Sequence, residues 1–126
     1  MNFAFLFLGL TLLASSVFAE TALKSKEEVQ GAWKLVHTKK SAASNEIIKR
    51  EDTWTFKNGS VTISHIPRDG TYYDQSPVNY DVEDGKLKIS LLGRSDKFDT
   101  FTLIEKDDNT MTLKGKYGDI YFFSKK

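Results

Sequence analysis

Two tight-turn signals, each lying between segments of alternating apolar and polar residues, constrain the fold most strongly. Asn58-Gly59 and Asp84-Gly85 carry the residue types of a two-residue type I′ hairpin turn, in which both central positions adopt positive φ. The first turn sets a register in which Trp54 faces Ile63. In this register the apolar residues of both strands lie on the same face of the hairpin, and this consistency favours an antiparallel hairpin.

The rest of the chain repeats this pattern of short strands and polar turns. Pro-Arg-Asp-Gly at 67–70, Lys-Asp-Asp-Asn at 106–109 and Lys-Tyr-Gly-Asp at 116–119 all read as turns. Ser25 and Glu28 have capping-box spacing, which predicts a short helix that ends at Gly31. The spacing predicts an all-β protein, an antiparallel up-and-down β-barrel of about eight strands with a short N-terminal helix.

Residues 1–19 have the pattern of a secretory signal peptide. An apolar run begins at Phe3, and small residues precede an expected cleavage site after Ala19. The alternative is a membrane anchor, but the run is shorter than the roughly 20 apolar residues that a spanning helix needs. We therefore expect a secreted or periplasmic protein whose residues 20–126 form one domain, without a stable membrane span after cleavage.

Composition excludes several classes of function. The chain has no cysteine, which removes thiol catalysis, disulfide frameworks and cysteine-based zinc sites. A formal net charge of +1 argues against a nucleic-acid partner, which requires a basic surface. Ser, His and Asp are present, but none lies in a recognisable catalytic turn. We therefore expect no enzymatic activity, no cofactor and no metal site, and we expect a monomer.

The polar residues on the predicted inward face are the first site candidates. The register of the Asn58-Gly59 hairpin places Asp52 opposite His65, with Arg50 nearby. One interpretation is a polar set at the open end that orients a ligand, in which the carboxylate raises the pKa of the imidazole. The alternative is a partly solvated structural pair at the rim. His37 is predicted on the same face as Trp33, from where it could join His65.

Aromatic residues form the second group of candidates. Trp54, Tyr73 and Tyr80 would suit the walls of a pocket for an apolar or aromatic ligand, with the tyrosine hydroxyl groups orienting it. The alternative is that these side chains simply fill the core. An eight-stranded barrel is just wide enough for either outcome.

The segment Gly31-Ala32-Trp33-Lys34-Leu35 after a short helix, together with the alternating strands 54–59, 80–87 and 111–113, resembles the lipocalin-like (calycin) domains of the small bacterial kind. The resemblance implies that Trp33 seals one end of the barrel and that the other end opens to a small apolar ligand. It also implies that the loop 39–45 acts as a lid. A basic residue near the last strand, Lys125 or Lys126, would cover the indole of Trp33.

Two functions remain open from the sequence. The first is an exported binding protein for a small hydrophobic or amphipathic molecule, with a site formed by Arg50, Asp52, Trp54, His65, Tyr73, Tyr80 and His37. The second is a protein-binding or inhibitor-like module that acts through its surface loops.

Overall fold

The computed structural model describes residues 21–126, apart from the side chain of Ser95. The predicted signal peptide and the cleavage site after Ala19 lie outside the described residues. Within residues 21–126, no helix is long and apolar enough to cross a membrane.

The described chain contains a short 3-10 helix, Lys26–Val29, followed by eleven β-strands. The strands are β1 (Gly31–Lys39), β2 (Ile48–Lys49), β3 (Thr53–Lys57), β4 (Ser60–Ser64), β5 (Ile66–Arg68), β6 (Thr71–Tyr73), β7 (Val78–Glu83), β8 (Lys86–Leu91), β9 (Arg94–Lys106), β10 (Thr110–Gly115) and β11 (Ile120–Lys125).

Eight of these strands form a closed antiparallel barrel. The order is β1, β3, β4, β7, β8, β9, β10 and β11, and β11 pairs back onto β1. The short strand β2 extends the pairing of β1, while β5 and β6 form a separate two-stranded hairpin. The predicted up-and-down barrel with a short N-terminal helix is therefore confirmed.

Both tight turns have the predicted geometry. Asn58 and Gly59 have φ of 53° and 81°, and Asp84 has φ of 53°. Trp54 pairs with Ile63 across the first hairpin, as predicted. The strand that precedes the first turn is interrupted, because residues 50–52 leave the ladder between β2 and β3.

Connections between successive strands alternate between the two ends of the barrel, so each end carries its own set of turns and loops. The sealed end carries the 3-10 helix and the turns 58–59, 84–85 and 107–109. We refer to the other end as the mouth. It carries the loop between β1 and β3, the β5–β6 hairpin, and the turns 92–93 and 116–119.

Trp33 closes the sealed end. Its side chain is buried, and its indole Nε1–H donates to the carbonyl oxygen of Val29 in the 3-10 helix at 2.9 Å. The ammonium groups of Lys125 and Lys106 lie 4.5 Å and 5.5 Å from the indole ring. Lys125 is therefore the basic residue that covers the tryptophan, as the resemblance implied, and Lys126 is not.

Gly31 is required at this point for two reasons. Its φ of 119° is unfavourable for residues with a side chain. A Cβ atom there would also force the flexible end of the Lys125 side chain to move away from its position over Trp33. The glycine thus allows the last strand to bring Lys125 over Trp33, and Lys125 donates to the carbonyl oxygen of Gln30 at 3.1 Å.

The core fills the sealed half of the barrel. Its largest side chains that are almost completely inaccessible to solvent are Trp33, Phe56, Leu87, Met111, Leu113, Val29 and Val61. A cavity in contact with the barrel interior opens toward the mouth.

Candidate functional site

A cavity of about 360 Å³ opens at the mouth, within the usual range for small-molecule sites. Its lining combines an apolar floor with several polar side chains. The lining residues are Leu35, Thr38, Arg50, Asp52, Trp54, Ile63, Ile66, Tyr73, Gln75 and Tyr121.

Arg50 and Asp52 form the principal polar pair of the cavity. The Nε and Nη2 groups of Arg50 donate to Oδ1 and Oδ2 of Asp52, both at 2.8 Å. This bidentate geometry is the strongest form of an arginine–carboxylate contact. Hydrogen bonding to Asp52 raises the pKa of Arg50 above its already high ordinary value. The positive charge of Arg50 balances the negative charge of the buried Asp52 carboxylate. A buried carboxylate without such a partner would destabilise the fold.

The chain positions this pair through its backbone. Residues 50–52 bulge away from the regular ladder, but the Arg50 N–H donates to the Val36 carbonyl oxygen at 3.0 Å. The Leu35 N–H donates to the carbonyl oxygen of Asp52 at 2.8 Å. Both side chains are thereby held beside β1 and point toward the barrel interior, where they line the cavity.

Trp54 forms the aromatic floor. Its ring lies 5.0 Å from Phe123, 5.8 Å from Phe101 and 6.0 Å from Tyr121, measured between ring centroids. Its Nε1–H is buried and has no hydrogen-bond partner among the described residues. Such a buried, unsatisfied donor costs about 1–3 kcal/mol.

Tyr121 separates the cavity from a smaller depression of about 170 Å³ beside the 116–119 turn. Burial and a hydrogen bond to Asp119 raise the pKa of the Tyr121 hydroxyl well above its ordinary value. The hydroxyl therefore stays protonated at neutral pH. The sequence alone does not place Tyr121 at the cavity, because the register of the last strand depends on barrel closure.

The β5–β6 hairpin supplies one wall. Tyr73 and the buried Ile66 pair across this hairpin, and Gln75 follows it. Three hydrogen bonds hold the segment in place. The Gln75 N–H donates to the Ile63 carbonyl oxygen at 2.8 Å, the His65 N–H donates to Asp74 Oδ1 at 3.0 Å, and the Tyr72 hydroxyl donates to Glu51 Oε1 at 2.8 Å.

The predicted inward pair of Asp52 and His65 is wrong. The β3–β4 ladder ends at Thr53 and Ser64, and His65 adopts a φ of 56° that turns the chain into β5. Its imidazole is exposed, stacks on Tyr72 with ring centroids 3.6 Å apart, and lies 3.9 Å from Glu51. His65 therefore lies outside the cavity, while Asp52 pairs with Arg50.

The predicted inward position of His37 is also wrong. A β-bulge between Leu35 and His37 shifts the pairing with β11 by one residue. His37 consequently stacks on Phe122, with ring centroids 4.3 Å apart, and the cavity is lined by Thr38 instead. Nothing in the local sequence signals this bulge.

Tyr80 lies at the sealed end. It is buried, packs edge-on against Phe56, and donates its hydroxyl to the Lys26 carbonyl oxygen at 3.3 Å. It is part of the core and does not line the cavity. The predicted lid, residues 39–45, also contributes no lining residue.

The structure thus brings four of the predicted site residues together: Arg50, Asp52, Trp54 and Tyr73. Their contact with a ligand remains a prediction. Among residues 21–126, no group of three His, Asp or Glu side chains is arranged to hold a metal ion. Chemically, the cavity offers an apolar aromatic floor and a neutralised ion pair on one wall.

A solved structure supports the fold assignment. The chain superposes with a TM-score of 0.60 on the crystal structure of an uncharacterized protein from Bacteroides eggerthii DSM 20697. The two sequences are 18% identical over an alignment that covers 77% of this chain and 98% of the other. This likeness concerns the fold alone.

The sequence comparisons agree with the barrel geometry. No curated protein matches the chain significantly. Residues 29–113, from the end of the 3-10 helix to β10, match the family of lipocalin-like domains. The chain belongs to the lipocalin-like domain family.

Proposed function

We propose that this protein binds a small hydrophobic or amphipathic molecule in the mouth cavity and that it does so as a monomer, without catalysis. The observation that carries the proposal is the cavity of about 360 Å³ at the mouth, which has Trp54 on its floor. The ion pair of Arg50 and Asp52 on its wall suits a molecule with one polar end. The signal-like residues 1–19 support action after export, in the periplasm or outside the cell.

Fluorescence of the two tryptophans tests this proposal, because they lie in different halves of the barrel. Trp54 lines the cavity, whereas Trp33 is buried at the sealed end. A Trp33→Phe variant should therefore change its emission on titration with apolar probes such as fatty acids or retinoids. The matched Trp54→Phe variant should show little change. Equal responses, or no uptake of any probe, would contradict the proposal.

Native mass spectrometry of the purified, processed protein provides a second test. It should show a monomer that begins after Ala19 and carries a small molecule from the source cells. An unprocessed chain would contradict export, and a dimer would contradict the proposed monomeric state.

A second candidate function rests on a different observation. Large apolar side chains are exposed in every mouth connection: Ile47, Ile48, Tyr72, Tyr73, Leu92 and Tyr117. An exposed apolar rim is typical of surfaces that bind other proteins. Replacing Ile47 and Tyr117 by Ser would abolish capture of a partner protein under this hypothesis, whereas Trp54→Ala would not.

A further inference from the structure

The two charged side chains of the cavity are not equally available to a ligand. Both oxygens of Asp52 accept hydrogen bonds from Arg50, and the Asp52 side chain is only 5% exposed. The Arg50 side chain is 33% exposed. A ligand that enters the cavity therefore meets the guanidinium group rather than the carboxylate.

Unused hydrogen-bond donors exceed unused charged acceptors on this wall. A guanidinium group has five N–H bonds, and its contacts with Asp52 use two of them. The indole Nε1–H of Trp54 also has no partner among the described residues, but this atom is buried, so the accessible donors on this wall are those of Arg50. The cavity wall therefore has more free hydrogen-bond donors than free charged acceptors, and it is suited to a ligand that supplies an acceptor.

We propose that the cavity selects molecules whose polar end is an uncharged hydrogen-bond acceptor, such as the carbonyl group of an ester or a ketone. This inference rests on the proposed binding function and specifies its ligand class. The Arg50 guanidinium donates to the carbonyl oxygen, and Asp52 is a positioning residue that holds the guanidinium in place.

Charged head groups are disfavoured for two different reasons. An ammonium group has no acceptor to offer and would approach the guanidinium of Arg50 directly. A carboxylate would bring a second negative charge beside Asp52, whose charge already balances that of Arg50 at 2.8 Å. It would also lose its hydration against the apolar residues Ile63, Ile66 and Trp54, which is costly for an ion.

Three probes with apolar bodies of similar size and different head groups test the inference. Methyl nonanoate, decanoate and decylammonium are titrated at neutral pH by calorimetry. We expect the ester to bind at least about tenfold tighter than either ion, a difference of roughly 1.4 kcal/mol. Decanoate or decylammonium binding as tightly as the ester would overturn the inference and leave the binding function intact. Absence of binding by all three would reject the binding function itself.

An Arg50→Met variant provides a sharper test because it frees the carboxylate of Asp52. The ester should lose at least about tenfold in affinity, and decylammonium should now bind tighter than the ester. Arg94→Met is the matched control, since Arg94 is exposed near the mouth but does not line the cavity. It should keep the original order of affinities.

The uncompensated Asp52 could prevent folding of this variant, so a second variant removes both charges. Arg50→Met/Asp52→Leu should retain the native near-UV circular dichroism and bind the ester at least about tenfold more weakly than the unmodified protein, because the guanidinium donors are gone. An unchanged affinity for the ester in the folded double variant would overturn the assignment to Arg50.

Discussion

The two tryptophans at opposite ends of this barrel differ in whether the indole N–H has a hydrogen-bond partner. At the sealed end, Trp33 satisfies its N–H with a helix carbonyl group and is covered by two lysine ammonium groups. Near the mouth, Trp54 is equally enclosed by the protein, but its N–H has no partner among the described residues. The first tryptophan is therefore a structural plug, and the second is suited to a binding site.

The contact of Lys125 with Trp33 leads to a prediction about stability. Lys125→Ala removes a cation–π contact of 4.5 Å and the hydrogen bond to Gln30. We expect the free energy of unfolding to fall by about 1 kcal/mol, the typical value for such contacts. Urea denaturation measures the change. The control Lys40→Ala, in an exposed loop, should have no effect, and equal effects of both substitutions would contradict this role of Lys125.

The hydrogen bonds of the Glu28 carboxylate imply that the stability of the fold depends on pH. Hydrogen bonds from the backbone N–H groups of Lys24 and Ser25 lower the pKa of Glu28 from its ordinary value of 4.5. A carboxyl group whose pKa falls on folding stabilises the folded state above its unfolded pKa, and this stabilisation disappears as the pH falls through the lowered folded pKa.

The melting temperature should therefore be lower for Glu28→Gln than for the unmodified protein above about pH 4.5, and the two should converge at more acidic pH. Glu46→Gln removes the same charge in an exposed loop and serves as the control. A difference for Glu28→Gln that persisted unchanged into acid would contradict the role of the Glu28 carboxylate.

The tight turns are the elements that determine strand register. Each places a residue other than glycine at positive φ, as at Asn58 with 53° and Asp84 with 53°. Asn and Asp tolerate this conformation because their short polar side chains bond locally, whereas most other residues lose about 1–2 kcal/mol. Turn chemistry therefore accounts for the alignment of Trp54 with Ile63.

Substitutions at Asn58 test the importance of this turn. Asn58→Ala should destabilise the protein by about 1 kcal/mol, because alanine is strained in the left-handed conformation. Asn58→Gly is the matched control and should be nearly neutral, since glycine adopts this φ without strain. Thermal unfolding measures both, and equal destabilisation by the two substitutions would contradict the turn assignment.

Closure of the barrel between β1 and β11 couples the two ends of the whole molecule. Phe123, in the closing strand, is buried and contacts the cavity residue Trp54. Lys125, two residues later, covers Trp33 at the sealed end. The cavity and the plug therefore share one strand, and we expect them to unfold together.

Chemical denaturation tests this coupling. In Trp33→Phe and Trp54→Phe variants, tryptophan fluorescence and far-UV circular dichroism should give coincident transitions within each variant. Phe123→Ala should lower the stability by about 3–5 kcal/mol, the usual cost of truncating a buried phenylalanine. Separate transitions for fluorescence and circular dichroism would show that the two ends unfold independently.

The sequence alone was sufficient for the fold class, the Asn58-Gly59 register and the plug at Trp33. Turn residues and alternating apolar positions act over a few residues, so their consequences can be read locally. The same reasoning placed Arg50, Asp52 and Trp54 near one another, because residues two positions apart lie on the same face of a strand.

Only the tertiary structure decided which polar residues enter the cavity. The positive φ at His65 and the β-bulge before His37 each turn an imidazole away from the interior. Tyr121 reaches the cavity only because β11 closes the barrel against β1. These features depend on contacts between residues distant in the chain. An alternating pattern of apolar and polar residues predicts a regular strand, and it does not show where a bulge or a turn shifts the register.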